Sequence, residues 1–278
     1  FDLAQSRPEP IPFYGELGSV NPVFVTAAAA AKRGQEIVDG FVGSFTMGQG
    51  QFCTKPGLLM VPAGSGLTEL LGAAQLPAGH KLLNAGIAAG HHETREGLQA
   101  RDDVELLAGG GGEVDPPAAT LLATDAATLL ERFDEIFVEC FGPTAMVVTY
   151  TSDDDLLNVA RALDGQLTAT LAAEEDDAIV GPLANILTRK AGRILWNQWP
   201  TGVSVTYAQQ HGGPWPATSN DSSTSVGTAA IGRFLRPVAF QNAPPAFLPA
   251  ALRDDNPLGV PQSISAAGES AGWGSRWR

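Results

Sequence analysis

Short apolar runs alternate with longer stretches of helical spacing along this chain, and that alternation restricts its fold more than any other feature. Strand-like runs fall at residues 13–18, 23–25, 58–61, 119–124, 145–150, 167–171 and 193–197. Between them, residues 27–45 set Ile37, Val38, Phe41 and Val42 on one stripe, after Thr26 as a cap. Residues 153–163 do the same with Leu156, Leu157, Ala160 and Leu163, and Asp153, Asp154 and Asp155 suit the positive end of that helix. Further helices are expected at 65–71 (capped by Ser65), 82–100, 126–132 and 177–190. Strand–helix–strand order of this kind implies an α/β fold, a mostly parallel sheet flanked by helices.

Composition closes off several functions. Of 278 residues, 44% are hydrophobic and 17% charged, enough for a sizeable core and too ordered a mixture for a disordered chain. No apolar run reaches membrane-spanning length, and residues 1–12 lack the pattern of a signal peptide. We therefore expect a cytoplasmic protein with no membrane partner. The net charge of −13 repels phosphate backbones and argues against nucleic acid. Two cysteines and four histidines do not fall at metal-ligand spacing, so no metal is expected. A Cys53–Cys140 disulfide is formally open, but a chain of this size does not need the staple.

Met47-Gly48-Gln49-Gly50-Gln51-Phe52-Cys53 presents a thiol on a glycine-rich loop. Glycine lets backbone N–H groups approach a reacting atom, and an oxygen gaining charge needs such donors. By itself a cysteine there is either a nucleophile or an inert packed thiol. Glu16 lies among apolar neighbours, where a carboxylate is seldom placed for stability; it is either functional or a strand-end residue facing solvent. His91-His92-Glu93 reads as a solvated helix face, because adjacent helical residues point about 100° apart. The glycine run 109–112 is followed by acids and prolines and reads as a flexible surface loop, not a phosphate cradle. After residue 201 periodicity is lost: 210–216 reads as a rigid loop and 220–228 as a polar, exposed one. Residues 236–241 form a β-prone run with no local partner, of the kind that completes a sheet in another subunit. Residues 263–278 look like a tail.

Three separated pieces then belong together: Gly15-Glu16-Leu17-Gly18, Gly50-Gln51-Phe52-Cys53-Thr54-Lys55-Pro56-Gly57 and Glu139-Cys140-Phe141-Gly142-Pro143. In that order the chain resembles the aldehyde dehydrogenase superfamily, with further agreement at Asn21-Pro22, Gly165-Gln166-Leu167-Thr168-Ala169 and Leu195-Trp196-Asn197. The similarity runs from residue 1 to about 242. Gly18-Ser19-Val20, Gln51-Phe52-Cys53-Thr54-Lys55, His211-Gly212-Gly213-Pro214-Trp215-Pro216 and Thr224-Ser225-Val226-Gly227 are similar to one branch of it, the 2,5-dioxovalerate (α-ketoglutaric semialdehyde) dehydrogenases.

The resemblance implies the catalytic domain of that fold at residues 1–230, an oligomerisation strand at 231–243 and a C-terminal extension at 244–278. It implies oxidation of an aldehyde, 2,5-dioxopentanoate by the branch, with NADP or NAD as cofactor, in a homo-oligomer. Cys53 would be the nucleophile, making a thiohemiacetal and then a thioester, and Glu16 the base that activates water. Glu139 and Phe141 would hold the cofactor; Phe52, His211 and Trp215 would line the substrate mouth. The family's dinucleotide-binding domain and oxyanion asparagine precede the Glu16 turn, so we expect this chain to be a catalytic half, supplied with the rest by a longer protein or a partner chain and without turnover alone. Two other readings stay open. One is a cofactor-independent thioesterase or esterase using Cys53 and Glu16; the other is an oligomerisation module with a vestigial site.

Overall fold

A seven-stranded sheet carries the molecule in the computed structural model, which describes residues 1–262. In chain order the strands are β1 (Val23–Val25), β2 (Leu58–Pro62), β3 (Glu105–Gly109), β4 (Thr120–Asp125), β5 (Thr144–Tyr150), β6 (Gln166–Ala172) and β7 (Ala191–Trp196). They lie in the order β3-β4-β5-β2-β1-β6-β7. Every neighbouring pair is parallel except β3 with β4. The helices are α1 (Asp2–Gln5), α2 (Ala27–Thr46), α3 (Leu67–Gly72), α4 (Ala85–Gln99), α5 (Ala126–Glu131), α6 (Phe133–Ile136), α7 (Asp153–Ala162) and α8 (Val180–Leu187). The α/β reading is therefore correct.

Period-two alternation divides the strands between two cores. Val23, Val25, Leu59, Val61 and Val147 face α2 and α3. Phe24, Leu58, Met60, Val148 and Leu171 face α5, α7 and α8 on the other side. The stripe of α2 is the one its spacing implies at Ile37, Val38 and Phe41, while Val42 is half-buried and Phe45 is the further buried member; each buried side chain contributes about 1.5–3 kcal/mol. The side chain of Thr26 accepts from Ala29 N–H at 3.2 Å and caps that helix. At α7, Ser152 and Asp155 form a reciprocal capping box, so the acidic run caps the helix as expected.

Several expectations need correcting. Residues 13–18 do not form a strand; a single bridge joins Glu16 to Thr218, because this segment pairs with the loop 217–219 instead of the sheet. The helix expected at 82–100 begins at Ala85, where the Asn84 side chain accepts from Ile87 N–H at 2.9 Å. The one expected from residue 177 spans only Val180–Leu187, since the Asp177 carboxylate is engaged by Thr26 and by Glu174 N–H. His91 is not on a solvated face: it is 2% exposed. Thr224, in the loop read as exposed, is buried. Cys53 and Cys140 are both free thiols.

The chain divides into two compact units, residues 1–233 and residues from Phe234 onward. Within the second, Phe240 and Phe247 meet edge to face at 6.1 Å, and residues 236–241 are exposed and outside any ladder among the described residues. The tail read at 263–278 lies outside the described residues.

Candidate active site

The Cys53 loop is built by left-handed backbone. α2 runs into a tight turn, Met47–Gly50, in which Gly48, Gln49 and Gly50 have φ of 56°, 59° and 67°. Only glycine adopts that region without strain. At Gly50 space forbids a side chain as well, because a Cβ would lie 2.1 Å from the carbonyl oxygen of Gly142. The Cys53 loop thus seats directly on the Gly142-Pro143 loop. Its two glutamines tie it to another segment: Gln49 Oε1 accepts from His80 N–H at 3.0 Å and Gln51 Oε1 from Leu83 N–H at 2.8 Å.

Asn21 fixes the back of the loop. Its Nδ2 donates to the carbonyls of Cys53 at 2.9 Å and Lys55 at 3.0 Å, while Oδ1 accepts from Thr168 Oγ1 at 3.0 Å. Gln166 Oε1 takes the N–H groups of Val20 and Asn21 at 2.8 and 3.1 Å. One asparagine and one glutamine therefore lock the Glu16 segment, the Cys53 loop and β6 together. Sequence reasoning met Asn21 only within the Asn21-Pro22 motif; asparagine tolerates the φ of 55° found here, but no local pattern announces bonds to partners 32 and 147 positions away.

Cys53, Glu16 and His211 converge. His211 Nε2 lies 3.4 Å from Cys53 Sγ and 3.1 Å from Glu16 Oε1. His211 is buried; its N–H donates to Thr224 Oγ1 at 2.8 Å and its carbonyl accepts from Ser225 N–H at 2.9 Å. Ser225 Oγ also donates to Glu16 Oε2 at 3.2 Å. The hydrogen bond from His211 holds the Glu16 carboxyl below its usual range, against the opposing effect of burial. Burial first, then the nearby Glu16 charge, push the Cys53 thiol up to about 11, while the N–H groups of Cys53 and Thr54 pull the other way. The resting pair is a thiol beside a carboxylate.

The three donor atoms lie within 4.8 Å of one another, close enough to grip a soft divalent ion. A metal-bound imidazole, however, is normally steadied through its other nitrogen, and His211 Nδ1 is buried with no partner among the described residues. The arrangement suits proton sharing better than ligation.

Glu139 stands at the far end of the Glu16 segment, where its Oε2 accepts from Ser19 N–H at 3.3 Å. Its other oxygen has no protein partner among the described residues and remains free to accept from a ligand. Burial raises its carboxyl, with Lys55 opposing. Phe141 is half-buried beside it, and Phe52 and Trp215 are exposed, Trp215 at 72%. Of the seven residues singled out in the sequence, the structure brings Cys53, Glu16 and His211 into contact; among the described residues no hydrogen bond joins Trp215 to them.

Comparison with known proteins agrees with this picture. Residues 4–215 match the model of the aldehyde dehydrogenase family. A curated α-ketoglutaric semialdehyde dehydrogenase of Acinetobacter baylyi is 42% identical over 95% of this chain and 52% of its own length. A second of that name, from Azospirillum brasilense, is 44% identical over 94% of this chain and 51% of its own length. The chain thus spans about half the length of the curated relatives it matches. Among solved structures, lactaldehyde dehydrogenase from Escherichia coli aligns with a TM-score of 0.65 at 18% identity, over 80% of this chain and 46% of that one. The 1-pyrroline-5-carboxylate dehydrogenase from Thermus with bound NAD also gives 0.65, at 19% identity, over 84% and 46%.

Proposed function

We propose, from the premise that this chain belongs to the aldehyde dehydrogenase family, that it is the catalytic half of an NAD(P)-dependent enzyme oxidising 2,5-dioxopentanoate or a close analogue. The observation that carries the reading is the convergence of Cys53 Sγ, Glu16 and His211 at one end of the Glu16–Ser19 segment, with Glu139 at the other.

In this reading Cys53 attacks the aldehyde carbon; the C–S bond forms and the carbonyl electrons move to oxygen. The Cys53 backbone N–H lies close to the sulfur and is a ready donor to that oxygen. The nicotinamide dinucleotide, when bound, supplies the hydride acceptor that converts the thiohemiacetal to a thioester. Glu16, a carboxylate in a half-open site, then takes a proton from the water that hydrolyses the thioester. Glu139 fits the cofactor because one carboxylate oxygen is tied to Ser19 and the other is free for ribose hydroxyls; Phe141 is the apolar neighbour. Phe52, His211 and Trp215 line the aldehyde mouth. The relatives' names support the substrate, and their double length supports a division of labour in which residues 1–278 alone do not turn over. We place the complete enzyme in the cytoplasm as a homo-oligomer, with residues 236–241 as the joining strand.

The test is NAD(P)H formation by a protein of the relatives' full length that contains this segment. Cys53→Ala should abolish it, and Glu16→Gln should accumulate an acylated Cys53 visible by intact mass. Absence of 2,5-dioxopentanoate-dependent reduction in the unmutated protein refutes the reading. A second reading, nucleotide-independent ester hydrolysis, is favoured by the nearness of an imidazole to the thiol; hydrolysis lost in Cys53→Ala and kept in Glu139→Ala would support it.

A further inference from the structure

Resting on the catalytic roles of Cys53 and Glu16 above, we propose that His211 is itself a catalytic residue, a hydrogen-bond donor that follows the single negative charge shared by the thiol and the carboxylate. The geometry differs from that of an ordinary relay, where an imidazole uses one nitrogen for the nucleophile and the other for the acid. Here Nε2 alone faces both partners, at 3.4 Å from Cys53 Sγ and 3.1 Å from Glu16 Oε1. A carboxylate only accepts, so Nε2 carries hydrogen whether the ring is neutral or charged. It cannot at the same time be the base for the thiol.

The step balances within the three residues. The S–H bond of Cys53 breaks and its proton goes to Glu16, forming an O–H bond; the negative charge passes from carboxylate to sulfur. The Nε2–H of His211 changes acceptor, from Oε1 to Sγ, with no change in its own protonation. The pair's charge is −1 before and after. The sulfur then attacks the aldehyde carbon as described, and Glu16 releases the proton to solvent, to which it is exposed, before it serves as the base for water.

The surroundings favour this role. The His211 backbone is held on both sides, by Thr224 Oγ1 at 2.8 Å and Ser225 N–H at 2.9 Å, so the ring is delivered to one place. Ser225 Oγ grips the opposite carboxylate oxygen at 3.2 Å, which leaves Oε1 to the imidazole. Nδ1 is buried and unpartnered among the described residues, so no hydrogen bond at that nitrogen opposes a small tilt of the ring. The charged groups bearing on Cys53 are Glu16, from the segment before β1, and Arg193, from β7. The Arg193 guanidinium donates to the carbonyls of Pro200 and Gly202, at 2.7 and 2.8 Å. A thiol raised by burial and by a neighbouring anion gains most from a donor that arrives with the charge.

The experiment is the pH dependence of Cys53 alkylation by iodoacetamide, followed by peptide mass in the folded chain, with no nucleotide or aldehyde. His211→Phe should slow alkylation at neutral pH about tenfold or more and move the thiol midpoint upward, the loss of one hydrogen bond to an ion. His211→Gln, which keeps a donor, should recover most of the rate. Should the phenylalanine variant unfold, His211→Ala is measured with and without added imidazole, and rescue is expected. Wild-type rate and profile in folded His211→Phe, no advantage of Gln over Phe, or no rescue by imidazole would each overturn the proposal. Because the assay needs neither cofactor nor substrate, failure of aldehyde oxidation in the longer protein would leave its result readable.

Discussion

The molecule contains two groupings of cysteine, histidine and glutamate, and they differ in where their side chains point. In the first, Cys53, His211 and Glu16 turn their functional atoms on one another at a half-open surface. In the second, Cys140, His91 and Glu139 are neighbours in the fold but each looks elsewhere. Cys140 Sγ reaches the His91 carbonyl at 3.8 Å, His91 Nε2 pairs with Thr144 Oγ1 at 2.9 Å, and Glu139 takes Ser19 N–H. Lys55 sits among them, fully buried, donating to the carbonyls of Cys140 and Thr144 at 2.7 Å each. The same residue types build a converging triplet in one place and a structural clamp in the other. Convergence and access decide between them, not composition.

The sharpest break between the two is thiol reactivity. Iodoacetamide should modify Cys53 at least about 10³-fold faster than Cys140, since Cys140 is 5% exposed and reacts only through local opening costing several kcal/mol. Comparable labelling of both in the folded chain, by peptide mass, would erase the distinction.

Lys55 tests the clamp. Burial lowers its pKa, yet its two carbonyl partners keep it in place. Lys55→Ala should cost about 3 kcal/mol in urea unfolding, because two buried carbonyls lose a charged donor and the stem leaves a void. Lys55→Met, which refills the void and removes the buried charge, should cost less. Equal losses would show that packing plays no part.

His91 makes the clamp sensitive to acid. Burial, then the cations of Arg95 and Lys55, push its pKa down to about 4 from 6.5. The unfolded chain therefore binds the proton first as pH falls, and stability contributed by neutral His91 is full above about 6.5 and declines as pH drops towards 4. The change is about 2–3 kcal/mol across that window. Glu16, whose pKa is depressed, contributes stability above its unfolded value that is lost only at more acid pH. His91→Gln should flatten the slope between pH 4 and 6.5 in denaturant titrations, and an unchanged slope would assign it to other groups.

How legible these regions were follows from what carries them. The strands and α2 are periodic, so 23–25, 58–61 and 27–45 were readable to within a residue or two. Residues 13–18 misled because their apolar alternation serves pairing with 217–219, some 200 positions away, which no local pattern records. His91 misled for a related reason. Its helix is polar overall, and burial comes from the Gly142 loop packed over it, where a Cβ would meet the ring at 2.3 Å. The converging triplet was half readable: Glu16 and Cys53 stood in motifs, whereas the approach of His211 to both depends on the aperiodic loop after β7. Its anchors, Thr224 and Ser225, were visible only as polar residues in a stretch expected to be exposed.

The smallest effect belongs to Trp215, which separates position in a motif from membership of either grouping. It lies four residues from His211, but it is 72% exposed and, among the described residues, takes no part in the hydrogen bonds of Cys53 or of Lys55. Removing a side chain that buries so little should change stability by less than about 0.5 kcal/mol. Trp215→Ala should therefore melt with the wild type and label Cys53 at the wild-type rate. If Trp215 lines the aldehyde mouth, its loss appears only as a raised aldehyde KM in the longer protein, with kcat unchanged, the signature of binding felt equally in ground and transition states. A drop in Cys53 labelling would instead show that the loop 210–216 positions His211 through this ring, and would extend the first grouping to a residue that shares none of its hydrogen bonds among the described residues.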